Sequence, residues 1–257
     1  MPFVDPVPNP QQPESSQPAA LSPDTPPFAG RVLALIEVLI CSDFLTQSAI
    51  GGTLFAFGYQ PLVNGRLNIV YVVVLSLGDT LLLIALILLI LNTHGERPRD
   101  VLFGPRSIAG EIAIGIPLIV VALTVGAVVL LSIQRWAPSL HTVVNNPLQD
   151  LLRSPRDAWW FAFVVLTAGG VREEIQRAFL LHRFNVWLGG AAVGVAVTSV
   201  AFGAGHLMQG ADATIATGLL GAFWGVIYLR RRSCVAAMVS HSGFDLVQIA
   251  QFLAVGR

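Results

Sequence analysis

The chain has 257 residues, 54% of them apolar and only 12% charged, and its mean hydropathy is +0.70. Soluble domains carry roughly 25% charged residues, so this composition points to lipid as the solvent. The formal net charge is zero and the densest basic run is Arg230 to Arg232, which argues against a nucleic-acid partner. Cys41 and Cys234 sit far apart in apolar stretches, so they read as small core residues, not as a disulfide framework or a Cys-rich metal site. All 15 basic residues are arginine, a usage compatible with a GC-rich bacterial genome.

The first 28 residues hold nine of the 16 prolines and no basic residue. They have neither the charged n-region nor the apolar h-region of a secretory signal, and read as a disordered or polyproline-like tether. From Arg31 onward apolar runs recur, each near the roughly 20 residues that a helix needs to cross a bilayer core. Spans are expected at about 31–57, 67–92, 109–133, 157–181, 190–207, 213–229 and 233–253. The fold class expected is therefore all-α: a polytopic membrane bundle of about seven transmembrane helices. It divides into the tail 1–28, N-terminal transmembrane helices over 29–156, and a distinct C-terminal helical part over 157–257. The connectors "GYQPLVNGR" and "THGERPRDVLFGPRS" are marked by Pro and Gly. The longer "QRWAPSLHTVVNNPLQDLLRSPRD" is polar enough to lie at an interface. The densest arginine clusters follow the second and sixth spans, which places both on the cytoplasmic face if the N-terminus is inside.

Ionisable residues within the spans come next, because a charge at a helix centre costs roughly 2.5–3.5 kcal/mol on the insertion scale. Glu37, Asp43 and Asp79 look isolated and read as hydrogen-bonded or protonated carboxyls facing the bundle interior. Glu111 lies near a span end and is expected to meet water. His94 and His141 fall in connectors and are expected to be solvated.

The last hundred residues differ, because polar groups recur there at helical spacing. In "GGVREEIQRAFLLHRF" Glu173 and Arg177 are four apart, the favourable order for an ion pair on one helix face. In "FGAGH" Phe202 lies one turn before His206, and in "HSGFD" Asp245 lies one turn after His241, where it can hold a ring nitrogen and fix the tautomer. A lone histidine on an apolar helix is more often a satisfied core group than a catalyst, and a Glu–Arg pair is often only structural. Three such pairs on three spans are harder to dismiss. The set supplies carboxylates for general-base work and imidazoles able to donate to an oxyanion. It supplies no evident nucleophile, since Ser199, Ser240 and Ser242 lack the GxSxG context. A base and oxyanion donors without a nucleophile point to attack by water, and hydrolysis of a peptide bond is the simplest such reaction.

"EEIQRAFLL", "FGAGH" and "HSGFD" resemble the three ordered motifs of the CPBP (or ABI) intramembrane proteases, which include type II CAAX prenyl endopeptidases and bacteriocin-processing enzymes. The resemblance covers about residues 157 to 253, and the second and third motifs match at every defined position. The first departs from the pattern: the arginine follows the first glutamate by four residues where the family usually has five. Aligning on "RAFL" instead puts Arg172 in the first position and Glu173 in the second. One residue is about 100° of helix rotation, and Glu173 is common to both alignments.

The resemblance implies that Glu173, with Glu174 as partner or substitute, deprotonates a water. It implies that His206 and His241 position that water and stabilise the oxyanion, that Asp245 orients His241, and that Arg177 pairs with a glutamate, with Phe202 packed beneath His206. His182 is at best in a supporting position. A divalent metal such as zinc, if used, would be held by Glu173, His206 and His241, but the adjacent HExxH pattern of common zinc proteases is absent, which favours catalysis without a cofactor. The partners implied are a peptide or membrane-protein substrate and the lipid bilayer, in the cell membrane with the chain crossing several times. For His206 to reach Glu173, "GHLMQGAD" must border a polar cavity within the bilayer. A transporter or proton-coupled channel, which should show related halves, and an inactive immunity or scaffold protein of the same fold are the alternatives.

Overall fold

The computed structural model describes residues 27–143 and 146–255. Of the expected disordered tail, all but Pro27 and Phe28 lies outside the described residues. The helices are α1 (Phe28–Ile40), α2 (Phe44–Ala56), α3 (Ile69–Thr93), α4 (Pro98–Leu102), α5 (Ile108–Trp136), α6 (Pro155–Val164), α7 (Glu173–Trp187), α8 (Ala191–Ala204), α9 (Ala211–Arg231) and α10 (Val235–Val255). Only a two-stranded hairpin, β1 (Leu62–Val63) with β2 (Arg66–Leu67), departs from the all-α class among the described residues. Its turn is Asn64-Gly65, both with positive φ, the backbone that matches the twist of a two-residue hairpin.

Start signals are conventional. Asn68, Ser107 and Ser154 cap α3, α5 and α6 with side-chain oxygens that accept from backbone N–H groups in the first turn. Among the described residues three helices are long and apolar enough to cross a bilayer: α3 with 25 residues, α5 with 29 and α9 with 21. Apolar side chains such as Leu81 and Val200 stay about three-quarters exposed on the outer surface, as lipid-facing residues would. The expected count of seven spans is thus not reached on length and apolarity. α10 has 21 residues, but His241, Asp245, Gln248 and Gln251 interrupt its apolar character, and α8 has only 14 residues.

The expected first span, 31–57, is not one helix. α1 and α2 have 13 residues each and part at Cys41–Asp43, where Asp43 adopts a φ of 70°. A side-chain-bearing residue enters this left-handed region at a cost. Here the break aims the Asp43 carboxylate at Arg172. The expected fourth span lengthens instead. A π-helical segment, Val165–Arg172, joins α6 to α7, so residues 155–187 form one continuous rod.

Packing brings the C-terminal helices together. α10 lies along α5, where a Cβ on Gly115 would stand 2.6 Å from Val239. α8 lies on α9, where a Cβ on Gly203 would stand 2.6 Å from the Thr214 carbonyl. Small residues at such crossings let backbones approach closely, the device membrane helices use in place of a hydrophobic drive. One apolar core joins Cys41, Leu83, Ile87, Leu91, Phe179 and Leu181; a second, around Ala122, Leu220, Trp224 and Ala237, backs the site. Both cysteines are free and buried. The two arginine-dense connectors meet at one end of the bundle. Tyr228 donates from its hydroxyl to the Val101 carbonyl at 2.8 Å, the Cys234 N–H donates to Leu102 at 2.9 Å, and Arg106 Nε donates to the Arg231 carbonyl at 2.8 Å.

Several polar residues are better partnered than their sequence positions suggest. Glu37 meets Arg183 and His94, each at 2.6 Å. Asp43 and Asp79 both meet Arg172. Glu111 is 1% exposed and is gripped bidentately by Arg231 at 2.6 and 3.1 Å, so it does not open to water. His94 and His141 are not simply solvated, since His141 binds Asp212 at 2.6 Å. In each case the partner comes from a different part of the chain, which hydropathy along one segment cannot reveal.

Candidate functional site

The π-helical segment sets the site's position. Gly169 and Gly170 lie in it, and α10 passes so close that a Cβ on Gly169 would stand 2.7 Å from Asp245 Oδ2. A Cβ on Gly170 would overlap Ser242. π-turns inside α-helices commonly mark functional positions. This one lets the rod carrying the two glutamates press against the helix carrying His241 and Asp245.

Arg172 closes the segment and is 5% exposed. Its guanidinium pairs with Asp43 of the α1–α2 break, with Asp79 of α3 at 3.2 Å, and with Glu173 at 3.2 Å. Three carboxylates around one buried cation tie the N-terminal helices to the first residue of α7. A buried charge set of this kind is tolerated only when its members compensate one another.

Glu173 and Glu174 then take different surroundings. The Glu174 side chain is 1% exposed and its Oε1 accepts from Arg177 and from His241 Nδ1, the latter at 2.8 Å. The Glu173 side chain is 18% exposed and lies on a cavity of about 970 Å³. That cavity is also lined by Arg172, Phe202, His206, His241 and Asp245. The expected Glu173–Arg177 pair is therefore replaced by Glu174–Arg177, three residues apart, while Glu173 takes the preceding arginine. Both spacings share a helix face; the aromatic floor decides, since the Arg177 guanidinium lies 4.7 Å from the Phe202 ring centroid and 5.8 Å from that of Trp224.

His241 is 4% exposed and held from several sides. Its Nδ1–H donates to Glu174. Trp224 stacks on the imidazole at 3.8 Å with the ring planes 16° apart, and its Nε1–H donates to Ser240 at 3.2 Å. The other nitrogen, Nε2, faces Glu173 Oε2 at 3.9 Å and Asp245 Oδ2 at 3.8 Å. The expectation that Asp245 holds the ring by a hydrogen bond is corrected. Glu174 fixes the tautomer, and Asp245 stands beside the free nitrogen at a distance too long for a hydrogen bond. Sequence spacing shows only partners on the same helix, whereas the closer acceptor lies 67 residues away.

His206 follows the end of α8, where a single 3₁₀ turn, Leu207–Gln209, leads into α9. Its Nδ1–H donates to the Phe202 carbonyl at 2.8 Å, which leaves Nε2 as the acceptor nitrogen of a neutral ring. Phe202 also packs edge-on to His206 at 4.8 Å and to His241 at 6.0 Å. His206 and Glu173 make no direct hydrogen bond; both line the same cavity. That cavity borders "GHLMQGAD" through His206 and Gln209. Among the described residues no three His, Cys, Asp or Glu side chains are grouped as a metal shell requires, so Glu173, His206 and His241 are not set as the zinc site considered from the sequence.

His182 and Arg183 lie apart from this centre. Both bind Glu96, at 2.8 and 2.6 Å, near the far end of α7. Burial raises the Glu96 carboxyl, but hydrogen bonds from His182 and Arg183 outweigh it and hold the group below the usual glutamate range. Trp224 lies outside the three motifs, and Arg172, which enters only through the alternative alignment of the first, proves to be a site neighbour. The signal for Trp224 was a large aromatic on a span next to the histidine helices; for Arg172, a charge directly beside the glutamate pair.

Residues 155–247 match the family described as Type II CAAX prenyl endopeptidase Rce1-like. No curated protein and no solved structure matches the chain. The matched stretch contains all three motifs and lies among helices apolar enough to span a membrane, which supports in general terms a CAAX-type intramembrane protease. Residues 155–247 belong to the CPBP/CAAX protease family.

Proposed function

We propose that the chain is an intramembrane endopeptidase in which Glu173 activates a water molecule for attack on a peptide carbonyl. The observation that carries this reading is the division of labour between the adjacent glutamates. Glu174 is consumed by Arg177 and His241, whereas Glu173 faces a cavity that both histidines also line. Glu173 accepts a proton from the water as the oxygen–carbon bond forms, and the carbonyl oxygen gains the negative charge. His206, its Nδ1–H committed to Phe202, accepts a hydrogen of the water on Nε2 and orients it. As an imidazolium, His241 donates from Nε2 toward the oxyanion while its Nδ1–H stays on Glu174 and Trp224 fixes the ring plane. Asp245 stands beside the same nitrogen and supports the charge that it bears. Glu173 then passes the proton to the amine as the carbon–nitrogen bond breaks. A base and a preorganised donor of this kind each contribute roughly 10²–10⁴-fold or 10²–10³-fold to rate.

Residues 157–257 act as the catalytic core and residues 29–156 supply one wall of the substrate cavity. The chain crosses the membrane several times with its N-terminus and the joined arginine connectors on the cytoplasmic side. The test is cleavage of an isoprenylated reporter peptide by the full chain in proteoliposomes, read by mass spectrometry. Glu173→Ala, His206→Ala and His241→Ala should each abolish the product while the protein still elutes as a folded species. Cleavage that survives all three would refute the hydrolase reading. A change in ion flux alone would favour a transporter.

A further inference from the structure

The cavity wall carries a second set of polar groups that catalysis does not use. Asn146, Gln149, Gln209, Gln248 and Gln251 all line it. Asn146 Nδ2 donates to Gln209 Oε1 at 3.1 Å, which joins two connectors at the rim. The carboxamides of Gln149, Gln248 and Gln251 make no hydrogen bond to the described residues. Gln248 follows Asp245 by three residues and His241 by seven, so all three share one face of α10. Gln149, Gln248 and Gln251 are exposed, and on the cavity wall their carboxamides are open to a ligand. A carboxamide offers one donor and one acceptor group side by side, the complement of a peptide unit's carbonyl and N–H. Arg172 is the one guanidinium among the described lining residues, and it is committed to Asp43, Asp79 and Glu173. Apart from Ser76, Thr124 and Thr217 the rest of the wall is apolar, with Leu123, Phe161, Leu220 and Phe244 among it.

We propose that this carboxamide row, with Gln248 at its centre, binds the backbone of an extended, uncharged, apolar peptide segment and feeds it to Glu173 and His241. It rests on the proposed hydrolase reading for the position of the cleaved bond. Seven helical residues from His241 to Gln248 span about 10 Å, which is about three residues of extended chain. Gln248 therefore meets the peptide unit three residues from the bond that is cut, and reads backbone, not side chains.

The experiment uses the full chain with Glu173→Gln, in detergent micelles, and a fluorescent isoprenylated apolar octapeptide whose binding is followed by anisotropy. A second probe replaces the peptide N–H three residues from the cleaved bond by an ester oxygen. Adding Gln248→Leu should weaken binding of the amide probe about tenfold and of the ester probe threefold or less, since one of the two hydrogen bonds is already missing. Gln149→Leu, on a different segment, should weaken the amide probe as well and guards against misfolding of a single variant. Equal binding with and without Gln248, the same loss for both probes, or no binding to the parent protein would overturn the proposal. Binding that depends on Gln248 without cleavage by the unsubstituted chain would leave this inference standing and remove the hydrolase reading. Cleavage indifferent to Gln248 would do the reverse.

Discussion

Gly170→Ala probes the closest approach in the site. A Cβ at this position would overlap Ser242 Oγ and lie 2.9 Å from Ser242 Cβ and 3.1 Å from its Cα. Carbon atoms rest at about 3.5–4.0 Å, so α10 must retreat from the π-helical segment by roughly half an ångström or more. Such overpacking costs about 1–3 kcal/mol, while alanine's intrinsic advantage in a helix returns about 1 kcal/mol. The net loss of stability is then small, on the order of 1 kcal/mol. Activity is more sensitive, because Gly170 lies three residues before Glu173 and Ser242 lies next to His241. Misplacing reacting groups by about 1 Å can cost 10²-fold, so a tenfold to hundredfold fall in kcat is expected, with Tm lowered by only a few degrees. Gly170→Ala combined with Ser242→Gly, which removes the nearest two atoms, should recover most of the rate. Gly52→Ala, with nothing within 4 Å, should leave it unchanged. Peptide turnover and thermal unfolding in one detergent read both quantities. A Gly170→Ala enzyme with unaltered turnover, or one that Ser242→Gly does not rescue, would refute the idea that close packing of these helices sets the catalytic geometry.

Arg172→Gln leaves Asp43, Asp79 and Glu173 without their shared cation and should destabilise the fold by roughly 3–5 kcal/mol in thermal or denaturant unfolding. Adding Asp43→Asn and Asp79→Asn should restore much of that loss, and no change on Arg172→Gln alone would show the cluster to be unimportant. Trp224→Leu removes the face that holds the His241 ring, so kcat should fall at least tenfold with KM little changed, and Trp224→Phe should recover most of it. An unchanged kcat in the leucine variant would deny Trp224 its positioning role. The Glu96 carboxyl is held below its unfolded value, so its pairs with His182 and Arg183 stabilise the fold above the usual glutamate range. That contribution is lost as pH falls through the lower folded value. Tm measured from pH 7 to pH 3 should therefore drop less steeply for Glu96→Gln than for the parent, and parallel curves would contradict the assignment.

How far the sequence could be read depended on how far apart the interacting residues are. Features carried by neighbours were visible: the apolar runs of α3, α5 and α9, and Phe202 one turn from His206. The hairpin is equally local, and Asn64-Gly65 within the Pro- and Gly-marked connector is its specific signal. The break between α1 and α2 could not be seen from apolarity, because Cys41, Ser42 and Asp43 interrupt the run only briefly and the partner that draws Asp43 aside is 129 residues away. Pairing at helical spacing also misled. Glu173 and Arg177 satisfy the four-residue rule, yet Arg177 takes Glu174, and His241 turns to Glu174 instead of Asp245. In both cases the deciding partners come from other helices, Phe202 and Trp224 for Arg177 and Glu174 for His241, and the wider turn of the π-helical segment rotates the glutamates in a way that no α-helical period contains.

Single-turnover cleavage by Glu173→Gln and Glu174→Gln, each with peptide binding measured in parallel, tests most directly whether Glu173 is the base. With Glu173 in that role, Glu173→Gln should bind the peptide normally and lose cleavage by at least a thousandfold. Glu174→Gln should retain measurable turnover, because its loss loosens His241 without removing the base. Robust cleavage by Glu173→Gln, with Glu174→Gln inactive, would contradict the assignment.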